Sequence, residues 1–324
     1  MTTSTSNSRQ RGGALLAVLW LAAALAAIAY SLANTVRGEV ERTATDVDGL
    51  RSYYLARAGV DRGILYMQWG SLVPPNAPAK YTPGTSLLPF SFPSGQVLVK
   101  IIPEAAKLNI NTAPPPELFR LLVALGAEPA RAEGVVAAIV DWRSPAGVAQ
   151  FDAFYQSLTP SFRSRHASFE ETEELLLLRG MTRELYYGGY THDDAGHLVP
   201  HSGLRDCVSV FGSGGAVDVN AADRAVLFTV GFAPDAANAI VARRKLQSFK
   251  SIAEVAELVG GSPGLSRLRV GGNAMFTLRS TARILLPNGQ LSDMRRTVAA
   301  TMIFKPDDDI PLQTLRWYDN AWIP

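Results

Sequence analysis

Residues 13–36, GALLAVLWLAAALAAIAYSLANTV, form a run of 24 residues without a charged side chain. An α-helix of this length rises about 36 Å, which exceeds the roughly 30 Å thickness of a bilayer's hydrocarbon core. Arg9 and Arg11 precede the run, and positively charged flanks favour the cytoplasmic side. The pattern predicts one membrane-spanning helix, with the N-terminus in the cytoplasm and residues 37–324 outside.

Three kinds of N-terminal segment share this layout. A secretory signal peptide has a shorter apolar core, of about 7–15 residues, before a small-residue site such as Ser31-Leu32-Ala33. An uncleaved signal anchor is the second interpretation. The third is a prepilin-type signal, which is cut on the cytoplasmic side of the apolar run, directly after a glycine. Since Gly12 lies between the basic patch and the run, we predict cleavage between Gly12 and Gly13, with cleavage after Gly13 as the alternative.

The helix is predicted to continue beyond the membrane, because residues 37–68 keep apolar side chains at spacings of 3, 4 and 7. These side chains and the one before them are Val36, Val40, Val47, Leu50, Tyr54, Ala58 and Leu65. We expect this face to pack on a globular head. One long helix would then lie half in the membrane and half against the head, as in a pilin stalk.

Composition excludes several classes of function. The formal net charge is +2, which gives no strong field for nucleic acid or for acidic substrates. Cys207 is the only cysteine, so an internal disulfide framework and a multi-thiolate metal site are excluded. The 324 residues are enough for one large domain or two modest ones behind the anchor.

Strand-like segments lie near both ends of the head. Residues 96–102, QVLVKII, have branched apolar content, and 207–211 is a further short strand. Near the C-terminus two alternating segments flank Asn288-Gly289, which predicts a hairpin with a type I′ turn. The residues 71–95, rich in Pro, Gly and Ser, are predicted to form a loop.

Helical sequence between these strands contains an internal repeat. The copies are 107–143 with 168–182, and 217–244 with 248–260. Each copy has an asparagine near its start, a short helix, a Gly-x-x-Pro break and a second helix that ends in arginine. Asn111 and Asn220 are predicted N-caps, and Pro129 and Pro234 suit the first turn of the second helix. The repeat predicts two helical hairpins that bury their apolar faces on each other.

The repeats raise a DNA-binding alternative, because helix-hairpin-helix modules hold phosphate on a Gly-x-Gly turn backed by basic residues. Here Pro129 and Pro234 each remove a potential amide donor, and a carboxylate lies beside each turn. The cluster Arg243-Arg244-Lys245 ends a helix, where basic residues are common. A membrane-anchored DNA receptor is the alternative function, and we expect no nucleic acid partner.

Other polar clusters give weak signals for a metal site or an active site. One cluster consists of His192, Asp193, Asp194 and His197. A charged surface loop explains these residues without a metal. Ser202 lies near His201 and Asp206, but no Gly-x-Ser-x-Gly elbow surrounds it. The chain is therefore predicted to have no catalytic site.

A set of short motifs in fixed order resembles protein K of the type II (general) secretion pathway, the largest minor pseudopilin. The motifs are RQRGGALLAVLW (9–20), ARAGV (56–60), LNINTA (108–113), DWR (141–143), FEETEEL (169–175), GMTRELY (180–186), VFGSG (210–214) and VNAA (219–222). Each motif is weak alone, but the ordered set is specific and runs over nearly the whole chain.

The resemblance implies an α+β, pilin-like fold, with the long N-terminal helix packed on an antiparallel sheet and a large α-helical domain inserted. The implied parts are the leader 1–12, the membrane helix 13–36, the stalk, loop and first strands 37–106, the inserted domain 107–260, and the C-terminal strands and tail 261–324. Within the insert the repeats cover 107–182 and 217–260, with a short strand near 207–215. The sheet is expected to combine strands near 97–102 and 207–211 with the C-terminal hairpin.

The resemblance also implies a non-enzymatic subunit at the tip of a periplasmic pseudopilus, which helps to start its assembly and export across the outer membrane. The implied partners are minor pseudopilins I and J, with H and the major pseudopilin G, the prepilin peptidase and the inner-membrane assembly platform. Processing and methylation would leave a single-pass protein in the bacterial inner membrane, with its head in the periplasm.

Position five of the mature chain has mechanical meaning in this family. With cleavage after Gly12, that position is Ala17, where most pilins carry a glutamate. A carboxylate in lipid is costly unless it is paired, and there it pairs with the terminal amine of a neighbouring subunit. The missing carboxylate at Ala17 fits a subunit that lies first in the fibre.

Members of the family also bind calcium in the head, often with acidic residues after the Asp-Trp-Arg motif. Here residues 144–155 contain one carboxylate, Asp152. Calcium takes six to eight oxygen ligands. A calcium site built from Asp141, Asp152 and backbone carbonyls is the prediction that remains, and no other cofactor is expected.

Overall fold

The computed structural model describes residues 10–72, 85–145, 150–192, 196–212, 214–271, 274–305 and 312–321, with the backbone alone for 10–12 and 69–72. Residues 1–9 of the predicted leader lie outside the described residues. So do 73–84 of the predicted loop, and Asp193 and Asp194 of the weak metal cluster.

The elements alternate between short strands and helices after one long helix. The helices are α1 (Gln10–Leu72), α2 (Pro115–Ala124), α3 (Pro129–Arg143), α4 (Asp152–Gln156), α5 (Arg183–Tyr187), α6 (Leu204–Cys207), α7 (Arg224–Thr229), α8 (Pro234–Leu246) and α9 (Ile252–Val259). The strands are β1 (Leu87–Phe92), β2 (Gly95–Pro103), β3 (Leu108–Asn109), β4 (Gly188–His192), β5 (Leu198–Ser202), β6 (Val208–Ser209), β7 (Val217–Asp218), β8 (Leu268–Arg269), β9 (Met275–Ile284), β10 (Arg296–Phe304) and β11 (Leu312–Tyr318). Short 3₁₀ helices cover Glu104–Ala106, Thr172–Leu177 and Pro263–Arg267.

The predicted long N-terminal helix is confirmed, because α1 runs unbroken for 63 residues. No proline occurs between residues 10 and 72, and alanine and leucine, both strong helix formers, dominate its first half. The lower part of α1 is exposed, and burial begins near Ser52.

Within the described residues, five strands form an antiparallel sheet in the order β1-β2-β9-β10-β11. Burial alternates along β2 and β9, which places one face of each strand in a core and leaves the other less buried. The upper part of α1 shares that core with the sheet through Leu55, Ala56 and Val60. The sheet therefore holds the head on the second half of α1.

The hairpin predicted at Asn288-Gly289 is confirmed, because β9 and β10 pair antiparallel on either side of it. The predicted type I′ turn is wrong, since His166 is the one non-glycine residue with a positive φ in the described part. Gly289 has φ 78°, and its N–H donates to the Leu286 carbonyl at 2.9 Å. Pro287 fixes its own φ near −65°, which favours a type I turn followed by a left-handed glycine.

Two predictions about strands are wrong. Residues 208–209 form β6, which pairs in parallel with β3 and is not part of the five-stranded sheet. This segment follows α6 directly, and its two paired residues are too few to form a full strand of the five-stranded sheet. The predicted loop 71–95 contains β1, because backbone pairing with β2 overrides the local turn composition. Pro89 is tolerated there since β1 lies at the sheet edge.

Residues 104–274 lie between the neighbouring strands β2 and β9 and have a hydrophobic core separate from that of the sheet. Fully buried side chains of this second core include Leu118, Ile139 and Leu227. Pro129 and Pro234 are the first residues of α3 and α8, as predicted. Two chain crossings, at the ends of β2 and β9, connect this helical region to the sheet.

Candidate assembly surface

The first half of α1 is the part of the described chain that could cross a membrane. Helix residues Gly13–Gln68 contain a segment long and apolar enough for one span, by length and composition. None of that segment is buried, and Leu15 and Trp20 are 75% and 73% exposed. So much exposed apolar surface requires lipid or protein around it.

The predicted processing residues lie at the start of this segment. Gly12 and Gly13 are helical, and no atom lies within 4 Å of the place where a Cβ of Gly13 would be. Ala17 is exposed on the same helix. Cleavage between Gly12 and Gly13, or after Gly13, stays a prediction, as does the role of Ala17.

The face of α1 that packs on the sheet is not the predicted face, and this prediction is wrong. The large apolar side chains of the predicted face are 47–62% exposed, and we call them the apolar stripe: Val36, Val40, Val47, Leu50, Tyr54 and Leu65. The sheet instead contacts a face that contains Ala56, Gly59 and Gly63. Small residues let the helix approach the strands closely, so the bulkier stripe is left on the far side.

Charged residues beside the apolar stripe pair within α1. Arg37 Nε lies 3.1 Å from Glu41 Oε1, and Arg42 Nη1 lies 3.1 Å from Glu39 Oε1. All four side chains are well exposed, so each pair stabilises the helix only weakly. The apolar stripe itself contains no charged side chain.

A small polar cluster fixes the C-terminal sheet edge on α1. Tyr53 Oη donates to Asp319 Oδ1 at 2.7 Å, and Trp317 Nε1 donates to the same oxygen at 2.8 Å. The Arg57 guanidinium lies 5.7 Å from the centre of the Trp317 ring. The hydrogen bond from Tyr53, followed by that from Trp317, lowers the pKa of Asp319, and the same contact raises the pKa of Tyr53.

In the helical region, a side-chain clamp closes the chain around α3. Asn111 Nδ2 donates to the Phe169 carbonyl at 3.0 Å, and the Phe169 N–H donates to Asn111 Oδ1 at 2.7 Å. Arg143 donates to the carbonyls of Ile110 and Ala113 at 2.7 and 2.8 Å. We call Asn111, Arg143 and Phe169 the first clamp.

The same contacts recur around α8. Asn220 Nδ2 donates to the Phe249 carbonyl at 2.9 Å, and the Phe249 N–H donates to Asn220 Oδ1 at 2.8 Å. Arg244 Nη1 donates to the carbonyls of Val219 and Ala222 at 2.7 and 2.6 Å. Asn220, Arg244 and Phe249 form the second clamp. In the sequence, each phenylalanine follows a serine at the same place in its copy of the repeat, and this recurrence is the signal that indicates a shared role.

The predicted N-caps are wrong. The N-cap of α2 is Pro114, and the N-cap of α7 is Asp223, whose Oδ1 accepts the Ala225 N–H at 2.8 Å. Asn111 and Asn220 lie earlier in the chain. An amide side chain offers a donor and an acceptor together, so each asparagine binds both groups of a distant backbone segment.

The two arginines of the basic cluster at the end of α8 are engaged within the protein. Burial lowers the pKa of Arg244, whose guanidinium binds the backbone in the second clamp. Arg243 Nη1 donates to the Gln247 carbonyl at 2.7 Å, and its guanidinium lies 5.6 Å from the centre of the Phe249 ring. No contact in the described part of the chain favours phosphate binding by these arginines.

The predicted calcium ligands are engaged by protein donors. Asp141 Oδ1 accepts the Gln150 N–H, and Asp141 Oδ2 is buried without a partner among the described residues. Asp152 Oδ1 accepts Ser164 Oγ at 2.5 Å and lies 2.9 Å from His166 Nε2; the Ser164 bond is the main cause that lowers the pKa of Asp152. No group of three or more His, Cys, Asp or Glu in the described residues could hold a metal. These two carboxylates do not by themselves supply a calcium donor set, and the calcium prediction stays untested.

The residues weighed as a hydrolase site do not form a triad. Ser202 Oγ donates to Asp223 Oδ2 at 2.6 Å, and Asp206 instead accepts the Gly203 N–H at 3.3 Å. His201 Nδ1 lies 3.2 Å from the backbone oxygen of Ser202. A cleft of about 810 Å³ is lined in part by His201, Ser202 and Asp223. Among the contacts described for these residues, the His201 ring makes no hydrogen bond to the Ser202 hydroxyl.

The fold combines a long N-terminal helix, an antiparallel sheet and a helical region. The protein is similar to a chain of the GspK–GspI–GspJ complex from the enterotoxigenic Escherichia coli type 2 secretion system, with a TM-score of 0.56. The superposition covers 84% of this chain and 98% of that chain at 16% identity, which shows a shared fold.

The sequence comparisons show similarity to one family of secretion proteins. Residues 102–188 match the family model of type II secretion system (T2SS) protein K. Type II secretion system protein K of Klebsiella pneumoniae is 29% identical over 201 residues, which cover 56% of this chain and 61% of that protein. Its counterpart in Pectobacterium carotovorum subsp. carotovorum is 27% identical over 199 residues, covering 55% and 61%. The matches span about three fifths of each relative, and the resemblance to protein K is confirmed.

Proposed function

We propose that this chain is a non-enzymatic minor pseudopilin of a type II secretion system, at the tip of a periplasmic pseudopilus. The observation that carries the proposal is the apolar stripe, which continues the membrane segment up α1 on the side away from the sheet. A subunit built into a fibre needs such an uncovered face along its helix. The family resemblance supplies the kind of fibre.

The proposed orientation follows from charge. Arg9 and Arg11 precede the apolar run, so the N-terminus lies in the cytoplasm and the head lies in the periplasm. Within the head, we assign residues 107–260 to an inserted helical domain made of two repeats. The two clamps support this assignment, because equivalent residues make equivalent contacts around α3 and α8.

The proposed partners are the counterparts of GspI and GspJ, since the similar solved chain is part of a GspK–GspI–GspJ complex. Minor pseudopilin H, major pseudopilin G, the prepilin peptidase and the inner-membrane assembly platform are further partners in this proposal. The tip position rests on Ala17, which offers no carboxylate to a subunit ahead of it.

Deletion and complementation test the function. In a strain that lacks this chain, proteins normally exported by the system should accumulate in the periplasm, and the intact chain should restore their release. Unchanged release from the deletion strain would contradict the proposal.

Mass analysis of the mature N-terminus tests the processing. The chain isolated from cells with an active prepilin peptidase should begin at Gly13, and the chain from cells without the peptidase should keep the leader. Retention of Met1 in both strains, or a chain that begins after Ala33, would contradict a pseudopilin.

A further inference from the structure

A cavity of about 170 Å³ lies where the helical region meets the sheet, beside the chain crossing at the end of β2. The helical region contributes Lys107 and Arg205 to its wall, and β9 of the sheet contributes Arg279. A water molecule takes about 30 Å³ of liquid volume, so the cavity has room for several waters or for one tetrahedral oxyanion with water around it. Three cationic side chains from two parts of the fold therefore line one small space.

Two of these cations have no acceptor in the part of the chain that the structure describes. Neither the Lys107 ammonium nor the Arg279 guanidinium makes a hydrogen bond or an ion pair to a described residue, and Arg279 Nε is buried. Arg205, by contrast, has its Nε 3.8 Å from Asp206 Oδ2. A cation taken out of water is costly unless an acceptor pairs with it, and burial accordingly lowers the pKa of Arg279. Two half-buried cations thus lack a counter-charge of their own.

A fourth cation lies next to the cavity on the sheet. Lys100 of β2 lies directly opposite Arg279 of β9 in the register of the two strands. Like charges at directly opposed positions destabilise a sheet. Partial burial, followed by the charge of Arg279, lowers the pKa of Lys100. An anion held beside this pair would offset the repulsion between the two side chains.

The carboxylates that line the cavity do not supply that anion, because they already have donors. Each accepts a hydrogen bond from another side chain: Glu104 from Thr277, Glu171 from Arg316 and Glu173 from Thr172. Glu104 is 4% exposed, and its charge acts on Arg279 without a hydrogen bond between the two residues. The donors of Lys107 and Arg279 therefore remain available to a ligand.

We propose that this cavity binds one small inorganic oxyanion of the phosphate class, held by Lys107 and Arg279. Such an ion offers several acceptor oxygens to donors that come from different directions. A guanidinium binds phosphate through paired N–H groups, and a lysine adds a point charge. The bound ion connects β9 to the segment after β2, and so stabilises the helical region against the sheet. The site does not depend on the proposed function, so its failure would leave that function unaffected.

Isothermal titration calorimetry of the full chain in detergent, with inorganic phosphate as the probe, tests the cavity. Sodium chloride at matched ionic strength is the blank, because screening alone acts on every exposed charge. The unchanged chain should bind a single phosphate with a saturable heat. Arg279→Gln and Lys107→Gln should each weaken this binding by about ten-fold or more, since each removes a charged hydrogen-bond donor. Without phosphate, Arg279→Gln should leave the urea midpoint unchanged or higher, because the repulsion with Lys100 is gone.

Arg283→Gln is the matched control. Arg283 lies on the same strand and face as Arg279, but its guanidinium donates to the carbonyls of Ser292 and Leu291. This variant should bind phosphate as the unchanged chain does. If Arg279→Gln does not fold, Lys107→Gln decides between the outcomes.

Several results would overturn the proposal. These are no phosphate heat above the chloride blank, equal binding by the unchanged chain and the two cavity variants, or an equal loss of binding in Arg283→Gln. Tighter binding of acetate than of phosphate would also overturn it, because it would assign the cavity to a carboxylate group of a partner protein.

Discussion

Gly59 offers a direct test of how closely α1 approaches the sheet. A Cβ on Gly59 would overlap Val97 Cγ1 and Ser280 Oγ, and would lie 3.4 Å from Val97 Cβ. Apolar atoms pack best about 3.5–4.0 Å apart, so the helix or the strands must shift by on the order of 1 Å. Overpacking of this kind costs about 1–3 kcal/mol, and alanine regains about 0.8–1.0 kcal/mol through helix propensity. Because two atoms overlap at once, the cost lies in the upper part of that range, about 2–3 kcal/mol, so we expect Gly59→Ala to lower the free energy of unfolding by about 1–2 kcal/mol.

The matched control is Gly49→Ala on the same helix. No atom lies within 4 Å of the place where a Cβ of Gly49 would be, so this change gains helix propensity without a clash. It should leave stability unchanged or raise it by up to about 1 kcal/mol. The two variants share the Gly-to-Ala change, and the steric clash is the difference between them.

Urea denaturation of the full chain in detergent, read by pulse proteolysis, measures both variants. For a slope near 3 kcal/mol per M, the Gly59→Ala midpoint should fall by roughly 0.3–0.7 M. Ser280→Ala in the Gly59→Ala background should recover part of the loss, because Ser280 Oγ is one of the overlapping atoms and has no partner among the described residues. A Gly59→Ala midpoint equal to or above that of the unchanged chain would refute the close helix–sheet packing.

Three further predictions concern contacts that hold the head together. Arg267 donates to Glu117 at 2.6 and 3.3 Å, and the Glu117 side chain is 8% exposed. Arg267→Ala should therefore cost about 1.5–3 kcal/mol, because it leaves a mostly buried carboxylate without its hydrogen-bond donors. In a double-mutant cycle, adding Glu117→Gln should recover part of that loss, and full additivity would argue against the pair. Asn220→Ala removes both backbone hydrogen bonds of the second clamp and should cost roughly 1–3 kcal/mol in the same urea assay, whereas no change would show that the clamp contributes nothing. The contact with Tyr53 lowers the pKa of Asp319 in the folded state. The stabilisation from this contact is therefore fully present above the unfolded pKa of about 3.9, and it is lost as the pH falls through the lower folded pKa. Asp319→Asn should weaken this acid dependence in proteolysis of the C-terminal strand between pH 2 and 5, and an identical profile would contradict the assignment.

Local sequence was sufficient for the features that depend on counting along the chain. The uncharged run of residues 13–36, with no proline before residue 74, predicted one long helix because helix length and hydropathy are properties of the segment itself. Pro129 and Pro234 predicted the starts of α3 and α8 for the same reason, since a missing N–H is harmless only in the first turn. The hairpin at Asn288-Gly289 also follows from local turn chemistry.

The roles of Asn111 and Asn220 depended on distant partners. Both asparagines precede a helix, so local pattern predicts caps, but their side chains bind backbone 58 and 29 residues further along the chain. Patterns in the neighbouring sequence cannot predict a partner so far along the chain. The edge strand β1 is a similar case, because pairing with β2 outweighs a composition typical of loops.

The periodicity of residues 37–68 predicts that α1 is amphipathic beyond its apolar run, whereas the face that meets the sheet depends on the tertiary structure. Periodicity marks the bulky residues Val47, Leu50 and Tyr54 as an apolar face, but it cannot say whether the head or a partner covers them. The strands pack on the side of α1 that carries Gly59 and Gly63. Close packing depends on how near the two backbones can approach as well as on hydrophobicity. The apolar stripe was thereby left exposed on the other side of α1.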